Sequence, residues 1–290
     1  MTQKTIKHQK NVISAVNGAI TNLLQHKEIL YPFALTAFVQ LFILEILYFY
    51  PRYPLKIFFG PLVAKLWSPE FLHYPANFVL LPRLFQSTQV PLYILVNSFF
   101  IGVAIAIIVA INNDQRINLR KIYRETWGRY IHLAVACAIM FLTIFGVFKI
   151  YSLVFNRALA IHSTVGLKFW LKTIIVDGAP YIQLLISILV TTIFAYVIPI
   201  IVIDKKNVFV AIWGNFKLLA RSFFFTFFVV LIPSALYVLM MLIRMNLTNK
   251  LPVLDWSMAI IVLNIFVLIL IDAIVYTALS TFYLLQKESA

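Results

Sequence analysis

Two carboxylic acids, Glu45 and Asp272, sit well inside long apolar runs of this chain. An ionised carboxylate at the centre of a bilayer costs roughly 2.5–3.5 kcal/mol on insertion scales, so such a group faces a partner or a cavity. Two chemistries follow. The acid can serve a proton- or ion-coupled path, or it can stand protonated or partnered in a hydrogen bond between helices. Asn264 and Asp272 are eight apart and fall on one helical face; Gln40, Asn97, Thr191 and Thr192 are further polar side chains in apolar surroundings. Interhelical hydrogen bonding is the plainer reading. An intramembrane acidic site of a transporter or channel is the alternative.

A second set is basic. Arg116, Arg120 and Arg124 recur every four residues, and Lys217 and Arg221 repeat that spacing in a later segment. Basic stripes beside membrane spans attract anionic headgroups, each residue contributing about 1 kcal/mol. The same charges also obey the rule that Lys and Arg collect on the cytoplasmic side of a membrane.

Other chemistry finds no residues to carry it. The five histidines (His8, His26, His73, His132, His162) show no metal-ligand spacing. Cys137 is the single cysteine, which excludes a disulfide within the chain and a cysteine-based metal site. His162, Ser163 and Asp177 lack the nucleophile-elbow context of a hydrolase. Phosphate-binding loops, dinucleotide fingerprints and GxxxG pairing motifs are likewise missing. The sequence therefore predicts no catalytic residue, no metal and no cofactor. Its net charge of +14 would suggest nucleic acid in a soluble protein. Here the basic residues flank apolar runs, so anionic phospholipid is the expected partner and nucleic acid is not.

These side chains must be positioned by membrane helices. The chain is 62% hydrophobic and 12% charged, against about 45–50% and about 25% in soluble domains. Several apolar runs exceed the ~20 residues that cross a bilayer as a helix. The ~10-residue alternation of a membrane barrel is absent. The expected fold is an all-α polytopic membrane protein with six transmembrane helices near 29–50, 92–112, 131–154, 181–203, 222–244 and 257–283. Residues 51–91 hold seven of the twelve prolines, which predicts short helices at the interface rather than a span. Ser68-Pro69-Glu70 marks one helix start. Leu167 to Val176 forms a short amphipathic piece before the turn Asp177-Gly178-Ala179-Pro180, and residues 245–256 read as a loop.

Three connectors, 12–28, 114–130 and 204–221, carry apolar residues at helical spacing and read as amphipathic surface helices. Each precedes a span, so the order of surface helix, span, outer segment and span occurs three times. Within a single 1–290 membrane domain this outlines repeats at 11–112, 113–203 and 204–285. Ala15-Val16-Asn17-Gly18 and Leu23 parallel Ala211-Ile212-Trp213-Gly214 and Leu219, and Asp114 and Ile122 parallel Asp204 and Ile212. An even number of spans puts both termini on one side. That side holds 14 of the 24 basic residues, counted from Lys4 to Lys287, which makes it cytoplasmic. Trp127 and Trp213 fall at that interface, and Trp67, Trp170 and Trp256 at the other.

From about 180 to 245 the chain resembles a family of six-span bacterial membrane proteins of unknown function. The family includes the YciC-like inner-membrane proteins and the membrane domain fused to some glycerophosphodiester phosphodiesterases. The resemblance rests on Pro199-Ile200-Ile201-Val202-Ile203-Asp204, the polar Lys205-Lys206-Asn207, and Val210-Ala211-Ile212 through Phe216-Lys217-Leu218-Leu219. Asn215 stands where a serine is more usual. The resemblance implies a bacterial cytoplasmic-membrane protein and carries over no catalytic residue. The expected function is non-catalytic: organising lipid or assisting envelope processes through the surface helices, with a protein partner or a second copy as a further contact.

Overall fold

The computed structural model describes residues 11–73, 76–161, 166–250 and 253–288, and among these every regular element is helical. Six helical stretches are long and apolar enough to cross a membrane: Lys27–Phe49, Val79–Asn112, Tyr130–Leu159, Ala179–Ile203, Val208–Ile243 and Met258–Glu288. They correspond to the six expected spans.

Span one is α2 (Leu30–Phe49), entered from the surface helix α1 (Val12–Gln25). Beyond it, α3 (Leu55–Leu66) and a 3₁₀ turn, Pro69–Leu72, are the expected short pieces. Ser68 accepts from the Glu70 amide and Pro69 takes the first position, as the sequence predicts. The rest of the proline-rich region departs from expectation. α4 (Ala76–Leu92) contains Pro82 and Pro91 and runs through a π-turn, Tyr93–Asn97, into α5 (Ser98–Asn112). Span two is therefore 34 residues long rather than beginning at 92. In a membrane the groups freed by proline are satisfied by wider turns and neighbouring helices, so proline does not veto a span there. The π-turn opens directly after Pro91, whose missing N–H loosens the ladder at that point.

α6 (Leu119–Trp127) is the second surface helix and leads into span three, α7 (Tyr130–Leu159). After α8 (Leu167–Val176), span four consists of α9 (Ala179–Ile193) and α10 (Val197–Ile203), separated by a break at 194–196. Pro199 explains the break, because it offers no N–H to the Ala195 carbonyl and its ring crowds that group. α11 (Val208–Lys250) joins the third surface helix to span five, with non-helical backbone at Ser222 between them. The predicted loop at 245–256 is overturned: α11 continues to Lys250 and α12 begins at Val253, running to Glu288.

α5 forms the centre of the bundle. Ile101, Val103, Ala104, Ile105 and Ile107 are all fully buried, and α5 packs against α2, α6, α7, α10 and α12. Gly102 permits that closeness, since a Cβ there would lie 2.7 Å from Leu133 Cδ1 and 3.0 Å from Thr126 Cγ2. Where span two ends, Asp114 adopts φ 51°, and where span four ends, Lys205 adopts φ 56°. Both turn the chain sharply in the left-handed region, two residues past their helices.

The surface helices share one register of burial. Ala15, Ala19 and Leu23 are buried on α1, as are Ala211, Asn215 and Leu219 on α11 at an offset of 196. On α6, Ile122 and Thr126 are buried at an offset of 89 from Ala211 and Asn215. An asparagine precedes each helix at those same offsets: Asn11, Asn118 and Asn207. Asn118 Oδ1 accepts from the Lys121 amide at 3.1 Å, and Asn207 Oδ1 from the Val210 amide at 3.0 Å. The sequence pairs Ile122 with Ile212; the burial pattern sets Ile122 level with Ala211.

Candidate functional site

Three places in the fold gather polar or charged side chains. The first is the intramembrane acid. Asp272 lies 272 − 258 = 14 residues from one end of span six and 288 − 272 = 16 from the other. At ~1.5 Å per residue that is about 21 and 24 Å along the helix, close to its middle. Asn97, 2% exposed at the end of the π-turn, donates from Nδ2 to Asp272 Oδ2 at 3.2 Å. The Tyr93 and Tyr276 hydroxyls lie 3.4 Å apart, and Tyr93 also faces Asp272. Tyr276 stands one turn along α12 from the acid and lines a cavity of about 10 Å³ together with Cys137, Thr191 and Ala195. That is room for about one water. Asp272, Asn97 and Tyr93 are not among its lining residues.

The other predicted intramembrane residues do not join this group. Glu45 is exposed on the flank of α2 towards the end of the bundle remote from the surface helices. It is not among the residues that line the cavity at Tyr276. Gln40 is buried at 7% on α2, and Asn264 is partly buried on α12, two turns from Asp272. Thr192 is buried and returns its hydroxyl to the Ile188 carbonyl at 2.8 Å within its own helix. The amide–acid pairing of Asn97 with Asp272 could be suspected from residue type, but Tyr93 and Tyr276 could not. Nothing in their spacing distinguishes them from interfacial aromatics.

The second place is the break in span four. Asn215 is fully buried on the inward face of α11. Its Oδ1 accepts from the Tyr196 amide at 3.0 Å, and its Nδ2 donates to the Ile193 carbonyl at 2.6 Å. One side chain thereby restores both a donor and an acceptor lost where the helix breaks. Tyr196, also fully buried, pairs its hydroxyl with Thr226 at 2.8 Å. Asn215, which stands where a serine is more usual in the resembling family, holds the break.

The third place is the end of the bundle where the surface helices lie. α1 packs against α12 and α11, and charged contacts tie the rest together. Asp204 accepts from Tyr283 at 2.7 Å and Lys287 at 2.8 Å on α12, and pairs with Lys206 at 3.2 Å. Burial pushes the Asp204 carboxyl up. The hydrogen bonds from Lys287, Tyr283 and Lys206, with the Lys287 charge, outweigh that effect and hold it below its usual value. Lys121 and Lys205 both approach Glu125, at 3.9 and 3.7 Å. Glu125 is thus held by lysines, while Arg116, Arg120 and Arg124 stay exposed and enter none of the ion pairs among the described residues. The helix starts at Leu119, so Arg116 sits in the connector and only Arg120 and Arg124 form a stripe on α6. Lys217 and Arg221 are exposed on α11, with the Lys217 ammonium 5.9 Å from the Trp213 ring centre.

The surface helices also expose large apolar side chains. Trp127 and Trp213 are each 66% exposed, Phe209 is 74% and Leu24 71%. Exposed aromatics level with exposed arginines suit a headgroup layer, where the rings enter the apolar boundary and the cations meet phosphate. Among the described residues, no three His, Cys, Asp or Glu side chains converge as a metal site. Compared with protein-family models, curated proteins and solved structures, the chain matches none.

Proposed function

We propose that this integral membrane protein is non-catalytic and holds anionic phospholipid headgroups on the face formed by its surface helices, organising lipid or assisting an envelope process. One observation carries the reading: Arg116, Arg120 and Arg124 project freely while the neighbouring acid Glu125 is occupied by Lys121 and Lys205. Guanidiniums left out of the ion pairs offer an anion bidentate donors, and Trp127 is exposed at the end of the same short helix that carries Arg120 and Arg124. Lys217 and Arg221 extend the basic surface beside Trp213. In this proposal the membrane is a bacterial cytoplasmic one, both termini lie in the cytoplasm, and a protein partner or second copy uses the same face. The resemblance of residues 180–245 to YciC-like proteins and the burial register at offsets of 196 and 89 support that family and a threefold build.

The test is lipid retention. At about 1 kcal/mol per cation, replacing Arg116, Arg120 and Arg124 together with Gln weakens anionic-lipid binding by about 3 kcal/mol, on the order of a hundredfold. Native mass spectrometry of the purified protein should show anionic phospholipid lost in the triple variant. It should be kept when Lys56 and Lys65, at the opposite end of the bundle, are replaced instead. Equal retention in the two variants refutes the proposal. The transport alternative draws on Asp272 within the bundle and on Glu45, which stands exposed on α2.

A further inference from the structure

We infer that Asp272 is a reversible intramembrane proton-binding site, gripped by the Asn97 amide and facing Tyr93 and Tyr276. α1, α5 and α10 contain no titratable residue. The charged residues described on the other helices packed around α12 are Glu45 on α2, Arg83 on α4, and Lys217 and Arg221 on α11, and all four are exposed at the surface of the bundle. None of the ion pairs among the described residues involves Asp272. The titratable groups that face it are Tyr93 on the π-turn, Tyr276 on its own helix and Cys137 on α7. No ion pair among the described residues compensates the carboxylate, and its described polar partners at mid-span are one amide N–H and tyrosine hydroxyls.

Size then selects the ligand. The acid and its amide partner are not among the residues that line the cavity of about 10 Å³ at Tyr276. That cavity has room for about one water and not for a hydrated ion or an organic substrate. A proton needs no more. The hydroxyl pair Tyr93–Tyr276, 3.4 Å apart, bridges from the acid to the cavity edge at Cys137 and Thr191. One water there would complete a donor–acceptor chain for a proton to enter and leave. The step is an acid–base exchange only: the carboxylate gains a proton from the tyrosine side of the chain and returns it by the same route.

Hydrophobic carbodiimides test this directly, because they attack protonated carboxyls within membranes and leave a covalent acylurea. The protein in proteoliposomes is labelled with dicyclohexylcarbodiimide at a series of pH values, and the peptide carrying Asp272 is quantified by mass spectrometry. Labelling at Asp272 should fall at least tenfold between about pH 5 and about pH 9, a range wide enough to bracket a protein carboxyl. Asp272→Glu should restore a pH-dependent label at that position, and Asp272→Asn should abolish it. Asp272 that never labels, or labels equally at both ends of the range, overturns the inference. The wild-type measurement alone is decisive, so a variant that fails to fold does not remove the test.

Discussion

Removing the Asn215 side chain should destabilise this protein by more than any other single polar truncation at the centre of the bundle. Asn215 makes two hydrogen bonds, to the Tyr196 amide and the Ile193 carbonyl, and is fully buried. Asn215→Ala leaves one main-chain donor and one acceptor unpaired inside a broken span. Each orphaned group costs about 1–3 kcal/mol in a protein interior, giving about 2–6 kcal/mol in all. The membrane lowers that figure, since measured interhelical hydrogen bonds average about 0.6 kcal/mol when the unfolded chain finds other partners. The two estimates separate cleanly: a loss above about 2 kcal/mol means the break is sealed from alternative partners. Reversible unfolding in mixed micelles, titrated with a denaturing detergent, gives the number. A double-mutant cycle with Pro199→Ala then tests the cause. Restoring the N–H at 199 lets the helix close its own break, so the combined loss should be smaller than the sum by at least about 1 kcal/mol. An Asn215→Ala variant within about 0.5 kcal/mol of the parent, or strict additivity with Pro199→Ala, would refute the reasoning.

Gly102→Val should cost about 1–3 kcal/mol by overpacking, because even a Cβ meets Leu133 and Thr126 at 3.0 Å or less; thermal unfolding of the purified protein reads this. Asp204 makes a pH-dependent contribution whose sign follows from its lowered folded-state pKa. Stability from this group is fully present above the ordinary carboxyl value of about 3.9 and is lost as pH falls through the lower folded value. Asp204→Asn should therefore loosen the end of α12 at neutral pH, seen as faster amide exchange over residues 283–288, while making little difference in strong acid. The cost is about 1 kcal/mol, since Lys206 and Lys287 are half-exposed and screened.

Much of this fold could be read from residue order. Apolar runs longer than a bilayer's width fix the helical class and the six spans, because an unpaired backbone in lipid has no other solution. The surface helices were equally legible, since amphipathic spacing next to a span admits few other placements. Reading failed at two prolines. Pro82 and Pro91 argued for short interfacial helices, yet span two runs through both, because the neighbouring helices and a π-turn absorb what proline removes. Pro199 did break its helix, and the difference lies in Asn215, sixteen residues downstream on another element.

Sequence alone determined that Asp272 and Asn97 stand within membrane spans, because each is embedded in residues that must enter lipid. It also determined that Glu125 and the nearby arginines lie at a water-facing surface. Only the tertiary structure decided who meets whom. Packing of α12 against span two turned Asp272 towards Asn97 and the two tyrosines, and left Glu45 facing outwards. It also committed Glu125 to lysines and left the arginines free. The reason is physical: helical periodicity fixes a residue's face and depth, while the identity of its neighbour is set by how helices far apart in the chain rotate to bury their small and apolar residues.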